Sequence, residues 1–178
     1  MALKPTIYKF NIQLSDVDRN RYDTLNMTVV QHPSETMERM MARVMAFCLN
    51  AGEGQQFTKG LCVAEEPAIW AHSPDGRIDL WIDVGKPAFD RIKKARRISG
   101  RVRVYAFHYG SENWWAGEQE KWQDLDVSVF QLGWQGIQAL AAMVERTMEL
   151  SVTVTDGIVY ISAENGDCEI PLTPFQTV

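Results

Sequence analysis

Cysteine is scarce: Cys48, Cys62 and Cys168 are the only three, and no two stand at Cys-x-x-Cys spacing. That excludes a zinc knuckle and a dithiol redox motif. Free, buried thiols in a reducing compartment are the expected state. Histidine is as rare, and His32, His72 and His108 lie too far apart in the chain for a local metal motif; each reads as a structural or capping residue. There is no Gly-x-x-x-x-Gly-Lys phosphate loop, no Gly-x-Gly-x-x-Gly and no Gly-x-Ser-x-Gly elbow, which removes the common nucleotide-binding and serine-hydrolase signatures. No apolar run approaches the roughly 20 residues that cross a bilayer. The opening Met-Ala-Leu-Lys-Pro lacks the apolar core of a secretion signal. A cytoplasmic protein with no membrane part is expected. Excess positive charge is also missing: the net charge of -5 speaks against a coat protein for nucleic acid. It leaves room for a local basic patch.

What is present belongs to a globular protein. Hydrophobic residues make up 46% and charged residues 23% of 178, and a chain of this length buries roughly 70% of its unfolded surface without staples. One domain spanning 1–178 is expected, with no linker or repeat dividing it.

Hydrophobic periodicity orders the elements. The first 30 residues alternate, with Tyr8, Phe10 and Ile12 set against Ile7, Lys9 and Asn11, and a polar turn at 16–20 makes this a β-hairpin. At Pro33-Ser34 the period changes, predicting a helix capped by Ser34 with Glu35 and Glu38 in its first turn and ending near Asn50. Its methionine stripe (Met37, Met40, Met41, Met45) reads as core packing. Residues 55–76 read as irregular, with a short strand near 57–63. Alternation returns at 77–84, placing Ile78, Leu80, Ile82 and Val84 on one face and Asp79, Trp81 and Asp83 on the other. A helix over 90–98 and a strand over 101–108 follow, a βα crossover that makes the two strands parallel. A Trp-rich helix with Trp114, Trp115 and Trp122, a strand at 127–132, a helix at 134–144 and closing hairpins at Asp156-Gly157 and Asn165-Gly166 complete the chain. The fold class is α/β (α+β): a mixed β-sheet with a parallel core and antiparallel hairpins at both chain ends, flanked by helices.

The chemistry concentrates in the middle third. Asp79 and Asp83 share a face about 13 Å apart along their strand, too far to grip one ion together. Asp83, at the strand's carboxyl end where parallel sheets bind ligands, is the principal candidate, with Asp79 at the rim. A hard cation such as Mg²⁺ or Mn²⁺ needs further oxygens, and Glu35 and Glu65 or Glu66 are within topological reach. Next to Asp83, Arg91, Lys93, Lys94, Arg96, Arg97, Arg101 and Arg103 place seven positive charges in 13 residues. Such a cluster holds phosphate backbones, and a lysine beside a metal-bound phosphate stabilises developing charge.

The segments His32-Pro33-Ser34-Glu35-Thr36, Glu38-Arg39-Met40-Met41, Phe57-Thr58-x-Gly60-Leu61-Cys62, Glu66-Pro67, Ile78-Asp79-Leu80-Trp81-Ile82-Asp83-x-Gly85 and Arg91-Ile92-Lys93-Lys94-Ala95 resemble the bacterial YaeQ family over essentially the whole chain. That resemblance implies a variant of the PD-(D/E)XK nuclease fold. Carried over residue by residue, it implies Asp83 as the second acid, Asp79 or Glu66 as the first, and Glu35 as the acid on the first helix. The lysine position of the pattern is Gly85, so Lys93 or Lys94 on the next helix would have to supply that charge.

Three functional readings follow. In the first, a metal-dependent nuclease or phosphodiesterase, Asp83, Asp79, Lys93 and Lys94 form the catalytic set. Asp83, Glu35 and Glu66 hold Mg²⁺ or Mn²⁺, and Arg91, Lys93, Lys94 and Arg97 hold nucleic acid. In the second, a catalytically inactive descendant binds nucleic acid or a protein partner through the same helix. The third is a partner of the transcription or translation machinery that makes no contact with nucleic acid. Convergence of three carboxylates near a lysine is the geometry that distinguishes the first.

Overall fold

A computed structural model describes residues 3–178. Ten strands form one mixed sheet: β1 (Thr6–Asp16), β2 (Arg21–Gln31), β3 (Gln55–Phe57), β4 (Ile69–His72), β5 (Ile78–Val84), β6 (Ser99–Ala106), β7 (Ser128–Leu132), β8 (Thr147–Thr155), β9 (Ile158–Ala163) and β10 (Gly166–Gln176). Their order is β2-β1-β8-β9-β10-β7-β6-β5-β4-β3. β5, β6 and β7 run parallel, and so do β1 and β8; the remaining neighbours are antiparallel. The expected mixed sheet, parallel centre and terminal hairpins are all present. Asp156 and Gly157 adopt positive φ at the β8–β9 turn, the conformation that an Asp-Gly hairpin requires.

Four helices cover the sheet: α1 (Met37–Leu49), α2 (Phe89–Ile98), α3 (Ser111–Trp122) and α4 (Trp134–Met143). Side-chain alternation sorts them by face. Leu80, Ile82, Val84, Tyr105, Phe107 and Leu132 join the core beneath α1 and α4. Trp81, Val102, Val104, Val127 and Val129 join a second core beneath α2 and α3, with Ile92, Trp115 and Trp122. The methionine stripe of α1 lies in or against the first core and the three tryptophans of α3 in or against the second.

Several expectations shift. α1 begins three residues past Ser34, because Thr36 is its N-cap, its hydroxyl accepting from Arg39 N at 3.1 Å. Ser34 pairs its hydroxyl with His32 Nδ1 at 2.7 Å instead. β4 lies inside the stretch read as irregular, and β3 ends at Phe57, before a 3-10 turn at Gly60–Cys62. Of the cysteines only Cys48 is buried, its thiol pushed up to about 12 by that burial; Cys62 is exposed and Cys168 half-buried. Among the described residues no helix is long and apolar enough to cross a membrane.

Candidate functional site

Asp83 is the last carboxylate of β5 and is buried, on the α2 side of the sheet. Gly85 then turns the chain at φ 113°, a backbone region that disfavours a side chain, and α2 follows. Arg91, in the first turn of α2, reaches back onto Asp83, donating Nε to Oδ2 at 2.8 Å and Nη2 to Oδ1 at 3.1 Å. Trp81 Nε1, two residues earlier on the same face, donates to Oδ2 at 3.2 Å. The remaining Arg91 donors bind the backbone oxygens of Ala64 and, at 2.8 Å, Glu66. A bidentate guanidinium–carboxylate pair is the strong form of this contact. It ties β5, α2 and the loop before β4 into one knot.

The other expected acids lie elsewhere. Glu35 precedes α1 and is buried on the opposite side of the sheet, where Arg43 donates Nη2 to Oε1 at 2.6 Å and Nε to Oε2 at 2.8 Å. Arg39 adds a further ion pair, and Arg43 also binds Val30 O at 3.0 Å. Glu66 accepts from Lys59 N at 3.2 Å, and Asp79 is exposed. Among the described residues no three His, Cys, Asp or Glu side chains gather to hold a metal. The set Asp83, Glu35 and Glu66 is therefore not brought together. Strand alternation sends Asp83 toward α2, while Glu35 enters with α1 on the other side. These residues do not fit a Mg²⁺ or Mn²⁺ ion, which needs free carboxylate oxygens on one side of one cleft.

The basic cluster divides as well. Arg91 faces inward, Arg96 binds Ser99 O at 2.9 Å and Asp126 at 2.6 Å, and Arg103 donates to Asn50 Oδ1 at 2.6 Å. Lys93, Lys94 and Arg97 are exposed on α2 and, among the described residues, have no ion-pair partner. Neither lysine approaches Asp83 as the guanidinium of Arg91 does.

A second site was not anticipated. β6 and β7 are adjacent and parallel, yet α3 after β6 covers one face and α4 after β7 the other. Where successive helices part to opposite faces, a crevice opens at the strands' carboxyl ends. Here it measures about 600 Å³ and is lined from both connections, by His108 and Tyr109 after β6 and by Gln131, Gly133 and Trp134 at the end of β7. Ser111 fixes the first turn, its hydroxyl donating to His108 O at 2.7 Å. The Gln131 amide holds the Glu112 carboxyl below its usual range. Burial, then Lys86 and Arg39, hold the His108 imidazole below its ordinary 6.5. The larger hollow, about 830 Å³ on the outer face of β1, β2, β8 and β9, is less inviting: its amides bond one another, Gln13 to Asn11 and Asn11 to Asn26.

The His108 shift gives a stability prediction. As pH falls below 6.5 the unfolded chain takes up a proton that the folded chain resists. Stability is therefore whole above that value and declines as pH drops toward the folded one. Urea titrations between pH 7 and 5 should show a decline that is shallower in His108→Gln; equal slopes in both proteins would refute the assignment.

The comparisons with known proteins agree across the chain. The family model described as YaeQ protein matches residues 1–172. The YaeQ protein of Escherichia coli (strain K12) is 39% identical over 99% of this chain and 98% of its own. That of Salmonella typhi is 40% identical over the same shares. The crystal structure of YaeQ from Xanthomonas axonopodis pv. citri superposes with a TM-score of 0.95 at 33% identity, covering 98% of this chain and 100% of that one. The Pseudomonas syringae structure gives 0.91 at 30%, covering 98% and 97%. Sequence and fold together place the chain in the YaeQ family.

Proposed function

We propose that the chain is a non-catalytic, cytoplasmic nucleic-acid-binding protein, a descendant of a PD-(D/E)XK-like nuclease, that meets the phosphate backbone with the outer face of α2. One observation carries this reading. The buried acid that would bind a catalytic metal is instead clamped by Arg91, while Lys93, Lys94 and Arg97 stand exposed and unpaired one turn away. An arginine fork on Asp83 serves the fold, and the three outer cations remain for an anionic partner. Exposed cations on one helix face are suited to release counterions from a polynucleotide.

Two measurements test it. Titration of Mg²⁺ and Mn²⁺ into the wild type and Asp83→Ala should give no saturable heat in either. Oligonucleotide binding followed against salt should show a log–log slope that falls by about 2 in the Lys93→Ala/Lys94→Ala variant, one for each phosphate contact removed. Metal binding that vanishes with Asp83 would restore the metal-dependent phosphodiesterase. Absence of all oligonucleotide binding would leave α2 to a protein partner, as in the transcription or translation reading.

A further inference from the structure

We propose that the crevice between the carboxyl ends of β6 and β7 is a binding site for a nucleobase, taken either from a free nucleoside or from an unpaired nucleotide of a strand. It does not depend on the α2 reading, since the crevice offers rings and amides where α2 offers charge.

Three features of the lining select this ligand. First, flat faces come from both sides of the switch point: His108 and Tyr109 after β6, and Trp134 at the start of α4. Tyr109 is 84% exposed although aromatic, at the mouth, where a planar ligand would cover it. Second, the polar groups are amides and carboxylates: Asn113, Gln135 and Glu169, beside a Gln131–Glu112 pair joined to each other. These are the side chains that match the adjacent donor and acceptor atoms along a base edge. Third, among the described residues no lysine or arginine lines the crevice. A phosphate or carboxylate ligand is thereby disfavoured, and a neutral ring with N–H donors is favoured.

His108 also keeps an unpartnered ring nitrogen within the wall of the crevice. Its Nδ1 is shielded from solvent and has no hydrogen-bond partner among the described residues, a state buried polar atoms rarely keep. The volume of about 600 Å³ suits a small molecule with part of its sugar. The main chain holds the walls in place: Gly133 N donates to Pro171 O at 3.0 Å. A Cβ at Gly136 would lie 2.3 Å from Glu169 O, so only glycine lets α4 seat this close to β10.

The test uses the whole chain and four uncharged probes, adenosine, guanosine, cytidine and uridine, followed by calorimetry and tryptophan fluorescence. Two oligonucleotides, a full duplex and the same duplex with one unpaired base, complete the set. At least one nucleoside, or the unpaired-base duplex in preference to the full duplex, should bind with quenching. Tyr109→Ala, at an exposed position that leaves folding intact, should weaken binding about tenfold, as expected when one stacking surface is removed. His108→Ala should do the same, Trp134→Phe should keep binding but lose quenching, and Lys93→Ala/Lys94→Ala should leave nucleoside binding unchanged. Binding of nucleosides alone identifies a small-molecule site; binding of the unpaired duplex alone identifies a base presented by a strand. No binding by any probe, or binding indifferent to both Tyr109→Ala and His108→Ala, overturns the proposal.

Discussion

Arg91→Ala is expected to cost about 2–4 kcal/mol of stability, most of it from Asp83 rather than from the arginine itself. The carboxylate is buried on a face otherwise made of Trp81 and the apolar residues of the second core. Arg91 supplies two of its three hydrogen bonds. Removing the guanidinium leaves a charge in that setting with one indole N–H for support. The loop before β4 loses its tie as well, because the Ala64 and Glu66 carbonyls are held by the same side chain. The guanidinium is about one-third exposed, which keeps the expected cost below that of a fully enclosed pair. Arg91→Lys should recover only part of the loss, since an ammonium cannot make the parallel fork. Lys93→Ala, two residues on and exposed, should stay within about 0.5 kcal/mol of the wild type. Denaturant titration decides the matter: a cost under 1 kcal/mol for Arg91→Ala would mean that Asp83 does not depend on its clamp. Mg²⁺ added to Arg91→Ala should restore little, because among the described residues no three acidic or imidazole side chains gather to hold the ion.

The alternation reveals the two faces of β5 from Leu80 to Val84, although Ile78, expected with Leu80, packs against the second core beyond a register shift with β4; the βα crossover reveals that β5 and β6 are parallel. Both rest on periods enforced locally by backbone geometry. The partner of Asp83 was less accessible. Seven cations stand within residues 91–103, and only the rotation of α2 determines that Arg91 turns inward while Lys93, Lys94 and Arg97 turn out. Gly85 does carry a legible signal. A glycine directly after an alternating strand marks a turn, and Gly85 stands at positive φ there. Pro171 and Pro174 argue against a long closing strand, yet β10 pairs through both, with its register shifting after Pro174. The crevice could not be read at all. It exists because α4 lands on the face opposite α3, and that is decided by which apolar stripe each helix buries, far from the residues that line the opening.

Glu35 poses the same question in its sharpest form, because its sequence position suits a metal ligand and its surroundings suit a structural anchor. Glu35→Ala is expected to cost about 3–5 kcal/mol, the range for leaving a buried ion without its partner. The partner is Arg43, whose side chain is only 5% exposed and whose guanidinium also lies over the Phe57 ring at 5.4 Å. Without the carboxylate, Arg43 keeps only the Val30 carbonyl, and the junction between β2 and α1 loses its central contact. Arg43→Ala should be about as harmful, for the mirror-image reason. The double variant Glu35→Leu/Arg43→Met should be less destabilised than the sum of the two single changes, since it removes both charges and fills the space with apolar atoms. A double-mutant cycle in urea measures that coupling directly. Strong coupling, with oligonucleotide binding unchanged in the folded double variant, would establish Glu35 as a structural anchor of α1. A Glu35→Ala protein that keeps its stability but loses binding would return this carboxylate to the functional site.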